Sequence, residues 1–346
     1  MNCGLIIPTL NAGSQFQKLL GQISAQSLPT RKLIIDSESE DETARLAENF
    51  GVEVLTIPRK SFNHGATRQF ALEYLLKKTP LDVIIFLTHD VLLHDDESLA
   101  ELVKIFDADK SVGLSYGRQL PHADATTEAK FLRSFNYPPK SQLRSLDDKK
   151  IYGLKTAFAS NSFAAYRVSA LQSVGGFPSN VPLCEDMYVA AKMLLRGFKI
   201  FYAASAQVYH SHNYTAAQEF RRYVQIGKFH AQESWIRETF GSAEGAGKKF
   251  VLMKLAALAK KIPSTAWAQS SGTPPNFSAI ESDESPLNPA EFFKTLPPSN
   301  SLVKIFHGIL CSVENRNSPP LQKKIPSTAL AQSSGMPQSS WVTVSA

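Results

Sequence analysis

A chain of 346 residues with 43% hydrophobic, 20% charged and 10% aromatic content is long enough to bury a real core, which excludes a peptide, a disulfide miniprotein and a fibrous repeat. No run of about 18 uncharged apolar residues exists to span a bilayer, and Met1-Asn2-Cys3-Gly4 lead straight into an apolar segment without the basic start or cleavage site of a secretory signal, so a cytoplasmic protein is expected. The net charge of +6 is matched by one window, residues 221–261, where nine Lys/Arg face three Glu, so the basicity is local.

Residues 3–119 alternate short β-branched runs with helix-like segments, the pattern of a parallel sheet with crossover helices. Strands are predicted at Cys3–Pro8, Lys32–Asp36, Val52–Ile57, Asp82–Leu87 and Val112–Tyr116, with helices at Gln15–Gln26, Asp41–Phe50, His64–Leu76 and Ser98–Phe106. Residues 120–155 hold a Pro-Pro pair and little periodicity, and read as a long excursion over the sheet surface. A strand follows at Asn161–Tyr166, then a short helix at Val168–Val174 closed by Gly175-Gly176, and an amphipathic helix at Glu185–Leu195. A strand pair, Lys199–Tyr202 and Ala206–His210, completes the α/β domain over 1–215. A basic helical extension is expected over 216–261, with helices from Ala216 to Phe240. A Ser/Pro-rich tail, expected to be disordered, occupies 262–346. Within the tail Lys260–Pro274 recurs nearly unchanged as Lys323–Pro337, and two copies are too few for a solenoid.

In a doubly wound sheet the ligand sits beyond the carboxyl ends of the strands, which makes the residues just after each strand the candidates. Asp36 ends the second strand, where an acid can accept hydrogen bonds from a base or ribose, while Asp41 reads as a helix cap. Phe62-Asn63-His64-Gly65-Ala66-Thr67-Arg68 opens a helix after the third strand; it is either a plain helix start with a surface Arg or a place for a diphosphate. Thr88-His89-Asp90 ends a fully apolar strand, and an acid there is costly unless it binds something, commonly a divalent cation. Glu185-Asp186 open a helix, where the macrodipole alone also favours carboxylates. His210 and His212 share one face at a strand end and offer a pair of metal ligands. Neither GxGxxG nor GxxxxGK[ST] is present, which excludes dinucleotide-dependent hydride transfer and P-loop ATP hydrolysis. The three cysteines, Cys3, Cys184 and Cys311, lie far apart without CxxC spacing, which argues against a disulfide framework or a structural zinc.

Taken together, IIPTLNAG, IIDSESEDET, FNHGATR, FLTHD, YGRQLP, FNYPPKSQLRS, FASNSFAAYR, LCEDMYVAAKMLLRGFKI and VYHSHNYT resemble the family 2 glycosyltransferases of GT-A fold, and among them the bacterial rhamnosyltransferase-like members. The resemblance covers about residues 3–255. It implies that Pro8 and Thr9 line the nucleotide, that Asp36 hydrogen-bonds the base, and that His64, Arg68 and His89 lie around the donor. It implies that Asp90 takes the place of the last acid of a DxD motif holding Mg²⁺ or Mn²⁺, with Thr88 where the first Asp would stand and His210 or His212 as further ligands. Asp186, with Glu185 beside it, is implied as the general base of an inverting reaction.

The reaction expected on this resemblance moves a sugar, rhamnose from dTDP-rhamnose, onto a polysaccharide or a lipid-linked glycan. Val251, Leu255, Leu258 and Ile262, spaced by four, three and four and set among lysines, suggest peripheral contact with the inner membrane face. No nucleic-acid partner is expected, because the basic window lacks the interleaved aromatics of RNA readers. A sugar nucleotidyltransferase would need a Gly-rich loop that IIPTLNAG does not supply. The incomplete DxD and the altered tail keep open a catalytically impaired nucleotide-sugar-binding or scaffold relative.

Overall fold

The structure, a computed structural model, describes residues 1–241. Its first part reads β1 (Cys3–Thr9), α1 (Gln15–Ser24), β2 (Thr30–Asp36), α2 (Thr43–Asn49), β3 (Glu53–Thr56), α3 (His64–Lys78), β4 (Val83–Leu87), β5 (Leu92–Leu93), α4 (Ser98–Val103), α5 (Ile105–Ala108) and β6 (Val112–Leu120). The second part continues with α6 (Thr127–Asn136), β7 (Gln142–Arg144), α7 (Lys149–Tyr152), β8 (Phe163–Arg167), α8 (Val168–Ser173), α9 (Glu185–Leu195), β9 (Lys199–Tyr209), α10 (Ala216–Gln232) and α11 (Ser234–Phe240).

Every residue of β1 and β4 is buried, as expected of central strands covered on both faces. Successive residues of β1 point to opposite sides of the sheet: Ile6 joins the core formed with Leu72, Leu75 and Val189, while Leu5 and Ile7 join the core formed with Phe16, Leu20 and Leu99. In α1 the buried residues Phe16, Leu19, Leu20 and Ile23 follow the three-and-four spacing of one helix face.

The sheet order is β3-β2-β1-β4-β8-β6-β9-β5, with β7 also paired to β9. The first four strands are parallel, β8 runs antiparallel between β4 and β6, and β6 and β9 are again parallel. The carboxyl ends of β1, β2, β4, β6 and β9 therefore meet at one edge, where β8 begins with Phe163 paired to Leu87. Every sheet residue named below as a candidate lies at or just beyond that edge.

Two sequence readings are corrected. The expected strand pair after Gly197 is one strand of 11 residues, because β6 follows it across a register jump in which Gly117 pairs Ala203 and Arg118 pairs Gln207. The small residues Ala203-Ala204-Ser205 look like a break in the sequence but form a bulge in the structure. At Gly117 a Cβ would lie 2.2 Å from the Phe163 ring, so the bulge is built where only glycine fits. The excursion over 120–155 is likewise more ordered than its periodicity suggests. It folds into α6, β7 and α7, and the buried Arg144 donates to Tyr116 Oη at 2.6 Å and to the Phe158 carbonyl at 2.8 Å. No helix among the described residues is long and apolar enough to cross a membrane. The expected basic helix through Val251–Ile262 and the repeat-bearing tail lie outside the described residues.

Candidate active site

The loops that follow β1 and β2 are stitched to each other. Asn11 N–H donates to Ser39 Oγ at 2.8 Å, Ala12 N–H to Thr43 Oγ1 at 2.9 Å, and Gly13 N–H to Asp41 at 3.1 Å, while Asn11 Oδ1 accepts from Glu40 N–H at 2.8 Å. Asn11 and Glu38 take positive φ values of 46° and 57° to make these turns. Asp36, only 2% exposed, accepts from Thr9 Oγ1 at 2.8 Å and from the N–H and Oγ of Ser39 at 2.8 and 2.6 Å. A carboxylate has about four acceptor positions, so the chain itself fills three of them. Pro8 faces the neighbouring strand end, with its carbonyl 3.4 Å from Nδ1 of His89.

At the start of α3, Asn63 is the cap: its Oδ1 accepts from Gly65 N–H at 3.0 Å and from Ala66 N–H at 2.9 Å. A Cβ on Gly65 would sit 1.9 Å from the Pro178 carbonyl, which brings this helix start against the segment leading into α9. His64 is exposed and packs edge-on against Phe62 at 5.0 Å. Arg68 does not lie on the surface. It is 3% exposed, its guanidinium bonds the His64 carbonyl at 2.8 Å, and it pairs with Glu185 at 3.2 Å.

Glu185 and Asp186 open α9 behind Cys184, which holds the left-handed conformation with φ of 64°. Their surroundings drive them apart. Burial works against the Glu185 carboxylate, but Arg68 and a hydrogen bond from Asn161 Nδ2 at 2.8 Å hold it below its ordinary value. Asp186 is pushed up to about 7 by burial and then by the negative charge of Glu185, against the opposing bonds from the N–H groups of Asn161 and Met187. Two neighbouring carboxyls separated in this way are an arrangement for one fixed anion and one proton acceptor.

Asp90 lies beyond β4 with Oδ2 3.3 Å from His210 Nε2 and 3.6 Å from His212 Nε2. These three groups bring their ligand atoms within 4.8 Å of one another and could hold a metal ion. Asp90 Oδ1 and Thr88 Oγ1 are buried with no hydrogen-bond partner, an expense that a bound cation would remove. Burial also disfavours the Asp90 carboxylate, and His210 and His212 pull it back below the ordinary range. Burial keeps His210 below its usual value, and burial together with His210 lowers His212 to about 4, so both rings are neutral at pH 7. A divalent cation fits an oxygen and two neutral imidazole nitrogens.

Two further residues were not singled out in the sequence, and they join these groups. Asn161 bonds both acids of α9 and accepts from Tyr166 Oη at 2.6 Å. Its neighbour Ser160 accepts from Gln119 Nε2 at 2.9 Å, and Gln119 Oε1 lies 2.8 Å from His210 Nδ1. The dipeptide before β8 thus ties the carboxylate pair to the imidazole pair. Nothing in a polar Ser-Asn step announces this, because its links to Glu185, Asp186 and Gln119 span 24 to 41 residues of sequence.

The parallel strand ends of the mixed sheet thus gather the buried Asp36, a group that could hold a metal ion and a pair of neighbouring carboxyls, an arrangement consistent with a nucleotide-sugar-dependent glycosyltransferase of GT-A fold. The profile of glycosyl transferase family 2 matches residues 5–175. The chain is 45% identical to the O-antigen chain rhamnosyltransferase RfbN of Salmonella typhimurium over 76% of its length and 83% of that protein. It is 43% identical to the O-antigen chain rhamnosyltransferase WbaN of Salmonella anatum over 75% and 82%. Among solved structures, TarS from S. aureus in complex with UDP-GlcNAc is similar with a TM-score of 0.49 and 17% identity, covering 76% of each chain. The chain belongs to glycosyltransferase family 2.

Proposed function

We propose that the protein is an inverting rhamnosyltransferase that moves rhamnose from dTDP-rhamnose to a hydroxyl of a surface polysaccharide or a lipid-linked glycan. The sugar follows the two Salmonella relatives, which are O-antigen chain rhamnosyltransferases. The chemistry rests above all on the pair that opens α9: Arg68 and Asn161 hold Glu185, and burial together with that neighbouring negative charge raises the Asp186 carboxyl. A sugar hydroxyl is a poor nucleophile, and a carboxylate of that basicity is suited to take its proton as it attacks.

In this reading Asp186 accepts the proton of the acceptor hydroxyl while the oxygen forms its bond to the anomeric carbon. The bond from that carbon to the diphosphate oxygen breaks with its electron pair, and the configuration inverts. Glu185 does not touch the substrate; it sets the basicity of its neighbour, and Arg68 acts through it. Pro8 and Thr9 line the nucleotide, and the free acceptor position of Asp36 takes a hydrogen bond from the base. His64 and His89 lie near the donor. Asp90, His210 and His212 would hold Mg²⁺ or Mn²⁺, which offsets the charge gathering on the departing diphosphate. We place the reaction at the cytoplasmic face of the membrane, with peripheral contact through the basic extension.

Calorimetric titration with dTDP-rhamnose, UDP-sugars and GDP-sugars, first with Mn²⁺ and then with EDTA, tests the reading. dTDP-rhamnose is expected to bind most tightly and to lose affinity in EDTA. Binding of no donor in either condition would favour an inactive scaffold relative, and tighter binding of a UDP- or GDP-sugar would overturn the donor.

A further inference from the structure

We infer that Gln119 is a positioning residue that fixes the tautomer of His210, and that Arg133 fixes Gln119; the inference deepens the reading of Asp90, His210 and His212 as a cation site and rests on it. Gln119 lies in β6, is 1% exposed, and spends its whole amide on three partners. Its Oε1 lies 2.6 Å from Arg133 NH1 and 2.8 Å from His210 Nδ1, and its Nε2 lies 2.9 Å from Ser160 Oγ.

The order of the bonds follows from what each group can do. A guanidinium only donates, so the amide atom facing Arg133 must be the oxygen. An oxygen only accepts, so the Nδ1 of His210 that faces the same atom must carry the hydrogen. The neutral ring then has its lone pair on Nε2, and Nε2 is the atom turned toward Asp90 at 3.3 Å. An imidazole that donates through one nitrogen to an amide oxygen presents the other as a fixed ligand atom.

Arg133 is placed to be the anchor. It sits on α6, inside the 120–155 excursion, and among the described residues it forms no ion pair. Its guanidinium rests 5.7 Å from the Tyr137 ring centroid and otherwise meets Gln119. Without that cation the amide could turn over, present Nε2 to His210 and select the opposite tautomer, with a hydrogen on the nitrogen that faces Asp90. Burial explains why the choice matters. His210 is 5% exposed, and water cannot replace a lost partner there.

The test reads two quantities on the full chain. One is the position of the His210 hydrogen by ¹⁵N NMR of the metal-free protein. The other is the affinity for Mn²⁺ alone, by electron paramagnetic resonance. Gln119→Leu and Arg133→Met are each expected to shift His210 away from the Nδ1–H form and to weaken Mn²⁺ by about 10- to 100-fold. Gln119→Glu, which keeps an acceptor opposite Nδ1, is expected to retain both. Should Gln119→Leu fold poorly, Arg133→Met, on a half-exposed helix, still decides. An unchanged Nδ1–H tautomer in Arg133→Met or Gln119→Leu overturns the inference. Asp90→Asn separates the two claims: Mn²⁺ bound as tightly as in the parent would sink the cation site, whereas the tautomer of the metal-free variants judges Gln119 regardless.

Discussion

Asp36 and Asp90 stand at the same edge of one sheet, at the ends of two apolar strands, and their surroundings differ in kind. Asp36 accepts three hydrogen bonds from Thr9 and Ser39, while Asp90 Oδ1 accepts none and its Oδ2 faces two imidazoles. On the β1–β2 side the carboxylate is held by the chain's own donors. On the β4–β9 side the ligand atoms of Asp90, His210 and His212 converge, and Asp90 Oδ1 has no hydrogen-bond partner. The pair on α9 repeats the contrast over one residue: Glu185 is held by Arg68 and Asn161, and Asp186 is left basic beside it.

The largest effect is expected where that second contrast is erased. Asp186→Asn keeps the shape and removes the proton acceptor, so turnover should fall by about 10²- to 10⁴-fold, with donor binding by calorimetry little changed. The pH profile sharpens this. As the proposed base, Asp186 would act only when ionised, and its carboxyl is raised from 3.8 to about 7, so activity should rise as pH climbs through about 7 and level off above it. The folded state holds this proton more tightly than the unfolded chain does, so the same group makes stability fall as pH rises from about 4 toward about 7. Its contribution to that slope should vanish in Asp186→Asn. A parent profile already flat at pH 6 would mean that another group takes the proton.

Next in size is the anchor beneath the pair. Arg68 and Glu185 are 4% and 5% exposed at their side chains, and removing one partner leaves a buried charge without an opposite. Arg68→Met should cost about 3–5 kcal/mol in denaturant unfolding. It should also raise the Glu185 carboxyl. A loss below about 1 kcal/mol, the range of exposed pairs, would show that water reaches Glu185 and that the carboxylates are not set apart as argued.

Much of this architecture can be read from the sequence. The strands β1, β2 and β4 and the helices α3 and α9 are visible because apolar runs and three-and-four spacing are local properties. Asp90, His210 and His212 are visible as residue types at strand ends, and the structure brings their ligand atoms together. What escapes the sequence is set by partners far along the chain. Arg68 reads as either a surface cation or a diphosphate ligand at a helix start, yet it lies buried beside Glu185, 117 positions later, because Gly65 lets α3 approach Pro178. Gln119 and Asn161 are ordinary polar residues until β6 and β8 are neighbours in the sheet. The bulge in β9 is hidden for a different reason: three small residues weaken the strand pattern, and only the register of β6 shows that the chain never leaves the sheet.

The smallest effect is the most direct test of the opening contrast, because it substitutes the same atoms at both strand ends. Asp36→Asn can keep Oδ1 toward Thr9 and Ser39 Oγ, but it turns an amide N–H₂ against the N–H of Ser39, two donors with no acceptor. An unsatisfied buried donor costs about 1–3 kcal/mol, which chemical denaturation can measure. Asp90→Asn breaks no satisfied backbone bond and removes a charge whose Oδ1 has no partner, so its cost should be smaller than that of Asp36→Asn when both are measured in EDTA. Adding Mn²⁺ should then stabilise the parent and the Asp36 variant by mass action and leave the Asp90 variant unmoved. If instead Asp90→Asn costs as much as Asp36→Asn without metal, the Asp90 carboxylate is satisfied by the chain after all, and the two strand ends are alike.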